Sequence, residues 1–130
     1  MANEISVQVG LTVQNPSTTG ALASLNVPSR AVSITQNTAA PASTGGTQTI
    51  GFAAHEALVV TDITTLGVAF FRNRDAANFV EIGVDVGATF YPLVRLNAGE
   101  SYVLRLSQGI TVYAQADTAA VILERIILDD

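Results

Sequence analysis

The amino-acid sequence predicts an all-β chain, an antiparallel β-sandwich of jelly-roll or similar Greek-key type. Three observations carry this. Apolar residues recur at every second position, the apolar runs are short and rich in Val, Ile, Thr, Tyr and Phe, and each run ends at a turn signal too short to house a parallel crossover. No stretch longer than two turns carries a clean helical stripe.

Taken in order, Ile5, Val7, Val9, Leu11 and Val13 alternate with Glu4, Ser6, Gln8, Gly10, Thr12 and Gln14, which predicts a strand with one dry face. Residues 1–14 read as an arm strand. Asn15-Pro16-Ser17-Thr18-Thr19-Gly20 ends it, because Pro fixes φ and Gly permits positive φ. Between residues 21 and 46 only Val32 and Ile34, alternating with Ser33 and Thr35, predict a short strand. Residues 38–46, with Pro41 and Gly45-Gly46 and almost no bulky apolar side chain, read as a flexible loop or an arm ordered by a neighbour. Eight runs follow, at 47–54, 58–63, 66–72, 78–84, 89–96, 101–106, 110–115 and 119–128. Turn signals at 73–75, 85–87, 97–100, 107–109 and 117–118 separate most of them. Along 80–85, Val80, Ile82 and Val84 are expected on one face and Glu81, Gly83 and Asp85 on the other. In the last run both faces are apolar, so this strand is either central in the sandwich or covered by a partner subunit.

A chain of 130 residues fits one domain, residues 1–130, with a single core. Charged residues make up 13% of it, about half the usual share, so much of the surface is neutral. The six basic residues are all Arg against eleven acids, a net charge of −5, which repels phosphate backbones and argues against nucleic acid. No Cys is present, so there are no disulfides and no thiolate ligands. The N-terminus lacks the pattern of a signal peptide and no apolar run is long enough to span a bilayer. The expectation is a soluble product made in the cytoplasm, without membrane or cofactor.

Motifs for chemistry are sparse. His55 is the single His, and its sequence neighbours offer no second ligand at useful spacing. The carboxylate pairs Glu81/Asp85 and Asp129/Asp130 would serve a glycosidase only if they lined a pocket with aromatic platforms. A Ca²⁺ site through Asn73, Asp75 or Asp117 competes with their ordinary role in turns. No phosphate loop and no nucleophile elbow occurs. The residues that suit an interface are Ile5, Val7 and Val9 of the first strand, Phe71 and Arg72 after Phe70, and Ile126, Ile127 and Leu128 of the last.

The stretches Gly67-Val68-Ala69-Phe70-Phe71-Arg72-Asn73, Asn78-Phe79-Val80-Glu81-Ile82-Gly83-Val84-Asp85, Thr89-Phe90-Tyr91-Pro92-Leu93, Leu96-Asn97-Ala98-Gly99-Glu100, Leu104-Arg105-Leu106 and Val112-Tyr113-Ala114-Gln115-Ala116 form one pattern. From residue 66 to 128 it resembles small virion structural proteins of tailed bacteriophages. That resemblance implies a non-enzymatic β-sandwich in the virion that binds the major capsid protein or a neighbouring virion protein, as a homo-oligomer (trimer or dimer). Two placements are open: a capsid decoration or cement protein, or a tail, neck or fibre component that contacts a host receptor or glycan. The small single domain, without coiled-coil segments, favours decoration.

Overall fold

The computed structural model describes residues 3–14, 24–36 and 43–130. Residues 15–20, expected as a turn, and residues 38–42 of the expected loop lie outside them. The chain divides into two units, residues 1–39 and 40–130. The two packed sheets of the sandwich lie in the second unit. Its core residues run only from Ile50 to Ile127.

The first unit is a two-stranded antiparallel ribbon of β1 (Asn3–Gln14) and β2 (Ser24–Gln36). Register sets Ile5 opposite Ile34, Val7 opposite Val32, Val9 opposite Arg30 and Leu11 opposite Val27. Directly opposed residues share a face of the sheet, so the alternation of β1 becomes one continuous apolar row. A bulge falls between Val9 and Leu11, where Pro28 and Ser29 oppose Gly10 alone. Pro28 cannot donate to a ladder, and a bulge is where a strand tolerates it. A Cβ on Gly10 would stand 3.0 Å from Cα of Ser29, so glycine permits the close approach. β2 is much longer than the short strand predicted around residue 32, because main-chain pairing with β1 does not need apolar side chains at every step.

The second unit holds eight strands: β3 (Ser43–Ile50), β4 (Glu56–Ala57), β5 (Leu66–Asn73), β6 (Val80–Val86), β7 (Thr89–Leu96), β8 (Ser101–Arg105), β9 (Tyr113–Ala116) and β10 (Val121–Asp129). They form two four-stranded sheets, ordered β3-β10-β5-β8 and β4-β9-β6-β7. The pairing is nested. β6 pairs with β7, β5 with β8, β4 with β9 and β3 with β10, all antiparallel. Residues 43–46, predicted as loop, are the start of edge strand β3, where Gly45 and Gly46 pair with Ile126 and Arg125. The predicted strand 58–63 is not formed: Leu58 is buried and bonds Val112 through its N–H, but Val59 and Val60 are exposed.

Phe71, Ile50, Leu123, Ile127, Val80 and Val121 are the large apolar side chains wholly enclosed between the sheets. Asn73 is wholly enclosed with them. A buried amide is tolerated only when it is bonded, and here every group is used. Its Nδ2 donates to the carbonyls of Asn78 (2.8 Å) and Leu96 (3.1 Å), and its Oδ1 accepts from the N–H of Asp75 (2.9 Å). The end of β5 is thereby pinned to both the following turn and the end of β7. At the β6–β7 hairpin, Gly87 and Ala88 both take positive φ, 60° and 65°, as a two-residue turn of type I′ requires.

Candidate functional site

One feature available to a partner is the outer face of the β3-β10-β5-β8 sheet. In β10 the odd residues Val121, Leu123 and Ile127 point inward and are wholly buried. Ile122 and Ile126 point outward and are 49% and 41% exposed. Ile126 stands beside Phe70, and Phe70 beside Val103, giving an apolar row across three strands. Glu124 lies between the two isoleucines in sequence on that same face, and across from Arg72 in register. Leu128 is half-buried. Burying such side chains fully stabilises by roughly 1.5–3 kcal/mol each, so an exposed row of them favours association.

Of the interface residues expected from sequence, Arg72, Ile126 and Leu128 belong to this face. Phe71 and Ile127 do not: both are at 0% exposure inside the core, which corrects their assignment to an interface. Parity explains it. Neighbours in a strand face opposite ways, so an exposed Arg72 sends Phe71 inward and brings Phe70 to the surface side. Val103 was not legible in this role, since nothing local in sequence reveals that β8 pairs with β5.

Ile5, Val7 and Val9 lie together on the apolar face of the ribbon, as the alternation predicts. Ile5 and Val7 are half-buried, while Val9, Leu11, Val27 and Val32 are between 44% and 59% exposed.

A second locus gathers the polar chemistry. Nε2 of His55 lies 2.5 Å from Oδ2 of Asp85. The imidazole stacks on Phe90 with ring centroids 5.4 Å apart and meets Tyr113 edge-on at 5.4 Å. Asp85 also accepts the N–H of Ala88 through Oδ1 at 3.1 Å. Beside it is an open cavity of about 390 Å³ lined by Val84, Asp85, Val86, Ile110, Thr111 and Tyr113, with Gly109. Sequence could not find this pairing, because 30 positions separate the partners. Both carboxylate oxygens of Asp85 are occupied, and no Ser, Cys or Lys lines the cavity. The arrangement ties the segment before β4 to the β6–β7 hairpin.

The other ionisable candidates are engaged singly. Glu81 accepts from Arg95 at 2.8 Å, and the same guanidinium lies 3.8 Å over the Phe79 ring. Glu81 and Asp85 therefore serve different basic partners. Asp129 accepts the N–H groups of Thr64 and Thr65, and Asp130 accepts from Arg105 at 2.7 Å. Asp75 accepts from the N–H groups of Asn78 and Ala77, which hold its carboxyl below the usual carboxylate range. Arg125 points inward from β10 and bonds Gln48 through Nε at 3.2 Å, and burial lowers its pKa. Among the described residues no three of His, Cys, Asp and Glu gather to hold a metal, and no helix is long and apolar enough to cross a membrane.

Compared with known protein families, with curated proteins and with solved structures, the chain matches none.

Proposed function

We propose that this chain is a structural, non-catalytic component of a bacteriophage virion, which binds the assembled capsid and stabilises it. The observation that carries the reading is a pair of exposed apolar faces, one on each unit, set against His55, Asp85 and Glu81, the candidates for chemistry, which are engaged in cross-strand and turn contacts. Two further points support it. The nested strand order supports reading the sandwich as a jelly roll, an architecture used by viral capsid domains as well as by lectins and cupins. The quoted stretches of the phage-like pattern fall on or beside β5 to β9.

A protein that binds only the assembled shell stabilises that state by mass action, and several weak contacts on one assembly add through effective concentration. The test mixes the purified protein with particles lacking it and follows co-sedimentation and heat resistance. Binding with a raised disruption temperature is the expected result. Particles that neither bind it nor change in heat resistance would refute cementing. Changing His55 to Ala is expected to leave both particle binding and heat resistance unchanged.

A further inference from the structure

We infer that copies of this chain join by seating the β1–β2 ribbon of one on the outer face of the β3-β10-β5-β8 sheet of another. This contact goes beyond capsid binding and needs no particle.

The ribbon has only two strands, and a two-stranded ribbon is marginal in water without a layer to pack on. Its apolar row of Val9, Leu11, Val27 and Val32 lies open. The sheet face offers a matching row in Ile122, Ile126, Phe70 and Val103.

Charge selects the occupant. Residues 1–39 contain one acid, Glu4, and one base, Arg30, which cancel, so the net −5 falls entirely on residues 40–130. Two sandwiches brought face to face repel, whereas a neutral ribbon approaches a sandwich without that cost. Arg30 stands on the ribbon's apolar face opposite Val9, and Glu124 stands on the sheet's outer face. Neither belongs to an ion pair among the described residues, Glu124 having only Arg72 across from it in register on the same face. Seating the ribbon brings the one cation of its apolar row to that acid.

Area points the same way. At ~3.4 Å per residue and ~4.8 Å between strands, a ribbon of this length offers a face of about 400 Å². Ribbon against ribbon would bury about half of the ≈800 Å² per partner typical of a stable interface. In a reciprocal dimer each copy seats its ribbon on its partner and receives the partner's ribbon, so the one interface contains two such faces and reaches about that figure.

The absence of Cys makes the contact directly readable. Full-length copies carrying Val9→Cys are mixed with copies carrying Ile126→Cys and oxidised, so that a mixed disulfide can form only between chains. Ser6→Cys, on the opposite ribbon face, serves as the control partner. A mixed Val9–Ile126 product several-fold above the Ser6 control is expected. With the unsubstituted chain, light scattering at roughly 100 µM, well above a micromolar Kd, is expected to give an oligomer. Arg30→Glu should weaken it on the order of tenfold, and adding Glu124→Arg should restore it. A monomer at that concentration, no excess over the control, or a Val9–Val9 product alone would overturn the proposal. Co-sedimentation with particles, measured separately, reports on capsid binding whichever way this comes out.

Discussion

Val9 in the ribbon and Val121 in β10 are the same residue in the same kind of strand, yet one is 59% exposed and the other 0%. Both lie in alternating or near-alternating apolar runs with antiparallel partners. The difference is the second layer. In the sandwich, β10 lays Val121, Leu123 and Ile127 against a facing sheet, whereas the described ribbon is one sheet thick. Alternation in sequence specifies a strand with a dry side; it does not supply what covers that side.

The sharpest way to break this contrast is to cut into each region. Phe71→Ala should destabilise the sandwich by about 3–5 kcal/mol, read by denaturant unfolding, whereas Val9→Ser in dilute solution should cost less than about 0.5 kcal/mol. Residues 40–130 expressed alone should keep a cooperative unfolding transition, because no core residue comes from the ribbon. Asn73→Ala comes next. It leaves the carbonyls of Asn78 and Leu96 unpaired, at about 1–3 kcal/mol for each buried group so stranded.

In the other direction, Ala88→Gly should stabilise by about 1 kcal/mol, because a non-glycine residue is held there at positive φ. The smallest effect sought is pH-dependent. Asp75 has a folded pKa below its unfolded value, so its contribution is present above the unfolded value and is lost as pH falls through the lowered one. Asp75→Asn keeps an acceptor oxygen but not the charge. The gap in thermal midpoint between it and the unsubstituted chain should be present at neutral pH and close as pH falls through that lowered value.

How much of this was legible follows from range. Period two in 5–13 and the turns after residue 66 disclosed the class and most strand positions, because these are local properties. The run Leu58-Val59-Val60 misled, since three adjacent apolar residues look like a buried strand whether or not a ladder partner exists; only Leu58 is covered. Ser43 to Gly46 misled in the opposite sense, because an edge strand is held by main-chain bonds that composition does not reveal. At the candidate site, Ile126 and Arg72 were visible by parity, and the error at Phe71 was one of phase. His55 with Asp85, and Asn73 with Leu96, depend on pairings that only the folded chain brings together.

The nested pairing also sets a timetable. Ile50 finds its ladder partner only when Val121 arrives, and β5 has one side open until the same strand closes it. Such distant matching makes for slow folding, on the order of milliseconds to seconds. A nascent chain leaving the ribosome must therefore hold β3 ready while it waits. The composition of β3, Ser-Thr-Gly-Gly-Thr-Gln-Thr-Ile, suits that delay, because a waiting strand with so little grease gives other nascent chains little to seize.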